Sequence, residues 1–222
     1  MGTGLHKEVA YINATSAIGA QGIFRNGQPL AVPGSADVTV LLRAGYEQLG
    51  SPYPKFHKMD TLSKLGWLAA EILLTGTPLL ERYAAGSVGL ALANQSSSLD
   101  TDLRYFDTVK DIASPALFVY TLSNIVIGEI CIRHGFKGEN IFFVQPRFDT
   151  TGMADYVQEL FAEQAVDACI CGWVEVMHTH FEAALFLVEK EAGSSALPLN
   201  AHNLEKLYQS ITNGNGATDS RS

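Results

Sequence analysis

Residues 114–149 read SPALFVYTLSNIVIGEICIRHGFKGENIFFVQPRFD, and the fold is decided by how this stretch is read. Ser123 to His134 carries apolar residues at helical spacing. Gly135 and the turn Lys137-Gly138-Glu139-Asn140 end that helix, and Ile141 to Val144 is a short apolar run bounded by polar residues, which predicts a strand. Gln145, Pro146 and Arg147 follow. Asp149 is a plausible N-cap for a helix that starts near Thr150 and runs to about Gln164. A second strand is expected at Ala168 to Trp173, within Asp167-Ala168-Cys169-Ile170-Cys171-Gly172-Trp173-Val174-Glu175.

Outward from this centre, strands and helices alternate. Val9 to Asn13 reads as a first strand, followed by a loop with Gly19, Gly22 and Gly27. Val38, Leu41, Leu42, Gly45 and Leu49 mark an amphipathic helix, and Asp60 caps a longer one that ends near Leu74. Ser87 to Ala93 is a buried-strand pattern, closed by the polar loop Asn94 to Ser98. Ser114-Pro115 is expected to break the chain before the helix ending at His134. Ala183 to Glu189 is a last strand, reached by a short connection from Val176 to Glu182, and Asn203 to Ile211 a last helix. The alternation predicts an α/β layered domain. With 222 residues there is room for one such domain, residues 1–212, and a tail, 213–222, that lacks large apolar residues and is expected to be disordered.

The central stretch resembles β-ketoacyl-acyl-carrier-protein synthases of the thiolase superfamily. There a helix leads into a Lys-Gly-Pro-Asn type turn, a strand follows, and the next helix opens on a reactive cysteine. The Gly172 to Glu175 segment is similar to the family's Gly-Gly-Ala-Glu, and Ala183 to Glu189 looks like the strand that closes the family's N-terminal half. Counting forward from Lys137 and backward from Gly172 gives one answer: the cysteine's place holds Arg147. The resemblance implies a single thiolase-like half with a mixed five-stranded sheet flanked by helices, covering about Val9 to Glu191. The second half, which carries two catalytic histidines in most synthases, is not expected in a chain of this length. The resemblance also implies that Ile141 to Val144, with Phe142 and Phe143, lies at a homodimer or heterodimer interface.

Charge narrows the partners. Fifteen basic against 23 acidic residues give a net charge of −8, which argues against nucleic acid and against a generalised basic surface for an acidic carrier protein, though not against a local basic patch. No apolar run approaches the roughly 20 residues of a membrane span, so a cytoplasmic protein is expected. Three cysteines without paired spacing fit a reducing compartment. Cys169 and Cys171 are expected as buried small hydrophobes, on opposite faces of the sheet.

The chemistry-bearing candidates are few. An arginine at position 147 cannot attack a thioester; it can grip an anionic or carbonyl group, or pair with Asp149 at the helix start. Gln145 is a second candidate binding residue. His178 and His180, two apart, could serve as acid and base with Asp149, but no third metal ligand stands near them. No cofactor is implied. In the helix after Arg147, Met153, Val157, Leu160 and Phe161 form one apolar stripe, while Asp155, Gln158, Glu159 and Glu163 lie opposite and predict a wet face. The leading expectation is a ketosynthase-like protein that does not condense. It would act as a partner or pocket-shaping subunit in acyl-carrier-protein-dependent fatty-acid, polyketide or polyene synthesis. The rival expectations are an enzyme with altered chemistry on acyl thioesters through His178 and His180, and a plain acyl-binding module.

Overall fold

The computed structural model describes residues 10–110 and 112–212. The expected tail, 213–222, therefore lies outside the described residues. The chain opens with β1 (Tyr11–Gly19), β2 (Gly22–Arg25) and β3 (Gln28–Pro29), then α1 (Val38–Leu49), α2 (Thr61–Leu73) and the single turn α3 (Leu79–Arg82). Strand β4 (Val88–Asn94), helices α4 (Leu99–Val109), α5 (Pro115–Phe118) and α6 (Ile125–His134), and strand β5 (Asn140–Val144) follow. The chain continues through α7 (Thr150–Ala162), β6 (Ala168–Met177), β7 (His180–Glu189), β8 (Leu197–Pro198) and α8 (Ala201–Thr212).

The sheet has eight strands, not five, in the order β3-β2-β1-β7-β6-β4-β5, with β8 paired to β1. Five long strands carry the core, and the short β2, β3 and β8 extend it on the β1 side. Strands β4, β5 and β6 are parallel; β7 is antiparallel to both β6 and β1. The sheet is therefore mixed, and it is flanked by helices on both faces.

Strand alternation sorts the core into two layers. Leu90, Leu92, Ile170, Val174, Leu185 and Leu187 pack under α1, α2 and α6, while Ala91, Ala93, Trp173, Ala184 and Phe186 pack under α7 and α8. Cys169 and Cys171 belong together in the second layer, against the expectation of opposite faces, because residues two apart on a strand share a face. Helix α2 is buried almost all round, capped by Asp60, whose Oδ1 accepts from Ser63 N at 2.9 Å. Helix α7 has its apolar stripe inward and Asp155, Glu159 and Glu163 exposed. Gln158 is half-buried and donates to the Leu199 carbonyl at 2.7 Å.

Three local expectations change. Strand β1 runs on through Gly19, and Gly22 begins its hairpin partner, so the glycines mark a turn rather than a long loop. The Val176 to Glu182 connection disappears into the β6–β7 ladder, which pairs as far as Met177 with His180. Ser114 caps the short α5 instead of merely breaking the chain, accepting from Leu117 N at 3.4 Å.

Gly172 sits in the centre of β6 at φ +151°, and a Cβ there would collide with the Ala184 carbonyl of β7. Gly172→Ala is expected to lower the unfolding free energy by about 3 kcal/mol, from overpacking and backbone strain together. Urea denaturation checks it, with a lower midpoint and an unchanged slope.

Candidate functional site

The parallel strands β4, β5 and β6 end on one edge of the sheet, where the loops that carry the sequence candidates meet. Asn94 ends β4 fully buried; its side chain holds the next turn by accepting from Ser97 N at 2.9 Å and donating to Ser97 O at 2.8 Å. Ser97 takes a left-handed φ of 53° in that turn. Glu175, near the end of β6 and only 3% exposed, accepts from Gln95 N at 2.7 Å and Ser96 N at 3.1 Å through Oε2. Its Oε1 is buried without a hydrogen-bond donor. Gln145 N donates to Asn94 O at 2.9 Å and so continues the β4–β5 ladder by one residue.

Arg147 lies exposed in the turn between β5 and α7. Phe148 turns inward against Trp173, Phe186 and Tyr208, with ring centroids 5.9, 6.3 and 5.0 Å away. This aromatic anchor pins the turn to the second core layer. Asp149 caps α7: its carboxylate accepts from Gly152 N at 3.0 Å and its carbonyl from Met153 N at 2.9 Å. The expected Arg147–Asp149 ion pair does not form among the described residues: Asp149 Oδ1 accepts from the helix end, and Arg147 is exposed. Thr150 Oγ1 donates to Glu205 Oε2 at 2.8 Å and ties the same turn to α8.

The two histidines stand elsewhere on this edge. His178 has a φ of 55° in the two-residue β6–β7 turn, and its N–H donates to Asp100 Oδ1 at 3.0 Å. His180 starts β7 and lines a small cavity of about 140 Å³ with Gly19, Gln21 and Phe24. Between β5 and β7 lie β4 and β6, so three strand spacings, roughly 14 Å, separate the Arg147 turn from His180. Arg147, Asp149 and the histidines do not share one pocket. Among the described residues no three His, Cys, Asp or Glu side chains are grouped to hold a metal ion.

None of the three thiols occupies a helix N-terminus. Cys131 is within α6, and Cys169 and Cys171 are within β6. Burial pushes the Cys169 thiol up to about 12 and Cys171 well above its ordinary value, and it raises Cys131 as well. A thiol held protonated is a poor nucleophile.

The sequence reading missed three features of this region. Glu175 served there only as a landmark, and its polar turn contacts lie 79 and 80 residues away in the chain. Helix α4 has no counterpart among the sequence expectations, although Leu99, Leu103, Phe106 and Val109 recur at helical spacing. The third is the role of Phe148 as anchor, which the run of apolar residues before α7 does not single out.

No family model and no curated protein matches the sequence. Solved structures do match. The chain is similar to the ishigamide ketosynthase/chain length factor, with a TM-score of 0.61 and 20% identity, over 86% of this chain and 64% of that one. The fold is that of the ketosynthases. A second likeness is to a structure of the AntDE:AntF complex, a type II PKS acyl-carrier protein with its ketosynthase, at TM-score 0.57 and 16% identity, covering 89% of this chain and 64% of that one. A third is to the ketosynthase ApeO in complex with its chain length factor ApeC from Xenorhabdus doucetiae, at TM-score 0.54 and 14% identity, covering 90% of both chains. The chain thus spans about 64% of the length of the first two matches. Within this ketosynthase-type fold, Arg147 stands at the exposed end of β5, before α7.

The thiol environments give a direct measurement. Iodoacetamide at pH 8 is expected to leave Cys169 and Cys171 unmodified in the folded protein, with Cys131 labelled slowly; in 6 M guanidinium all three should react. Intact-mass spectrometry reads the count, and fast native labelling of a β6 thiol would contradict the burial argument.

Proposed function

We propose that this chain is a ketosynthase-like subunit that does not condense, and that it pairs with an active ketosynthase in acyl-carrier-protein-dependent synthesis of a fatty acid, polyketide or polyene. The observation that carries the reading is the absence of a usable thiol at the start of α7: Arg147 stands before that helix, and all three cysteines lie inside other elements. A guanidinium there can hold a carbonyl or anionic group through fixed donors but cannot form a thioester. Gln145, half-buried one residue beyond β5, would face the same ligand.

Two surfaces support pairing. Among the described residues, strand β5 is the last strand of the sheet and unpaired on its outer side, and its terminal Val144 is 56% exposed. Open apolar edges of this kind pair with another chain. On α4 and the segment after it, Leu103, Phe106, Ile112, Phe118, Val119 and Leu122 are all exposed, and Ile112 is 87% so. That is more exposed large apolar surface than scattered residues account for, and it marks an interaction face. Two of the similar structures are named as ketosynthase and chain length factor together, which fits such a pairing.

Co-expression with candidate ketosynthases from the same genome is the test. The two are expected to co-elute as a heterodimer, and the chain alone should neither acquire an acyl adduct nor turn over acyl-carrier thioesters. Val144→Lys is expected to abolish co-elution while leaving the circular dichroism spectrum unchanged, because an edge lysine blunts strand pairing. Turnover by the isolated chain, lost in His178→Ala or His180→Ala, would replace this reading with that of an enzyme of altered chemistry.

A further inference from the structure

Seven lysines fall among the described residues, and six of them have an evident place. Lys55, Lys110 and Lys190 pair with Glu129, Asp107 and Asp167 at 2.7, 2.6 and 2.9 Å. Lys58, Lys137 and Lys206 are exposed to water. Lys64, one turn into α2, is different. It is half-buried, and no carboxylate stands within ion-pair distance of it among the described residues.

Its side chain lines a cleft of about 480 Å³ between α1 and the start of α2. The inner wall is apolar, with Leu42, and with Tyr46 stacked on Phe56 at a centroid distance of 4.3 Å. Lys64 Nζ lies 6.0 Å from the centre of the Phe56 ring, at the far limit of a cation–π contact. His57 lines the cleft as well, its ring edge-on to Tyr46 at 5.2 Å. The charges around Lys64 differ in their effect. Glu47 is on the cleft wall but pairs with Arg43 at 2.9 Å, and both are exposed. Arg104, across on α4, donates to Thr61 Oγ1 at 3.4 Å and does not line the cleft. Asp60 is buried and accepts from Ser63 N and from Thr101 Oγ1, at 2.9 and 2.7 Å. Burial first and the Arg104 charge second hold the Lys64 amine below the ordinary lysine range; the Asp60 charge acts the other way and is outweighed.

We infer that this cleft captures an aldehyde with an apolar body, as an imine on Lys64. A lysine amine is activated by desolvation in an apolar site and by a neighbouring cation, and Lys64 has both. The neutral amine adds its electron pair to the carbonyl carbon, and a proton passes from nitrogen to the carbonyl oxygen to give a carbinolamine. Loss of that oxygen as water leaves the C=N bond. Amine and aldehyde thus become imine and water, and nothing is oxidised or reduced. His57 is the acid–base group on the cleft wall for the proton transfers. The apolar body rests against Leu42, Tyr46 and Phe56. An aldehyde is neutral, so the Glu47 carboxylate does not oppose it as it would an anion. The inference does not depend on pairing with a ketosynthase, since the cleft is formed within one chain.

Reductive trapping tests it. The full chain is treated at pH 7 with benzaldehyde and sodium cyanoborohydride, which delivers hydride to an imine and fixes it as a secondary amine, and peptide mass mapping reads the modified lysines. Lys64 is expected to be benzylated at least about tenfold faster than Lys58, Lys137 and Lys206, at a rate that saturates with benzaldehyde. Glycolaldehyde, which has no apolar body, should show little preference for Lys64. Arg104→Gln should slow labelling of Lys64 several-fold without a change in melting temperature. Lys64→Arg should remove the fast adduct and leave the exposed lysines reacting as before. Equal rates at Lys64 and the exposed lysines would overturn the site. A Lys64 rate that never saturates, or the same preference with glycolaldehyde, would overturn capture by the cleft in favour of a merely reactive amine. Labelling indifferent to Arg104→Gln would overturn the part given to the neighbouring cation.

Discussion

Strand β6 is buried on both faces and both sides, and the rest of the molecule is arranged around that fact. A strand so placed must be apolar throughout its middle, must have every backbone group paired, and must admit its neighbours closely. The run from Ala168 to Val174 meets the first condition, and ladders to β4 and β7 meet the second. Gly172 meets the third by letting the β7 backbone approach where a side chain would stand. The two thiols of β6 share the consequence, since a position that excludes water also withholds the thiolate.

At the end of β6 the same constraint becomes chemical. Glu175 leaves the apolar run still buried, and it can do so because the backbone N–H groups of Gln95 and Ser96 meet one of its oxygens. That contact fixes the loop after β4 relative to β6. The Gln145 to Asn94 hydrogen bond fixes the loop after β5 relative to β4. Arg147 is thus carried on a turn set by two ladders and by Phe148, while its own head is unconstrained.

Much of this was legible in the sequence where local chemistry and burial agree. Asp60 and Asp149 announce α2 and α7 because a cap and an apolar stripe follow each in the expected spacing. The legibility ends where partners lie far apart in the chain. The sequence reading of His178 and His180 as a possible acid and base rested on spacing alone, and a left-handed φ at His178 folds the segment into a hairpin whose ends face different neighbours. The extra strands β2, β3 and β8 are too short to carry a periodic signal. Helix α4 carries an apolar stripe at helical spacing, but that the fold leaves this stripe uncovered is visible only in three dimensions.

The open side of β5 has a further bearing on how much of this protein a cell can hold. A strand edge with unspent N–H and C=O groups, next to exposed apolar side chains, templates its own stacking whenever molecules outnumber whatever covers them. On the pairing proposed above, concentration is then itself a hazard, and supply of the chain would need to match supply of its partner. A surplus would be drawn off by chaperones and proteases or lost to aggregates. Dosage, in that sense, is written into the last strand of the sheet.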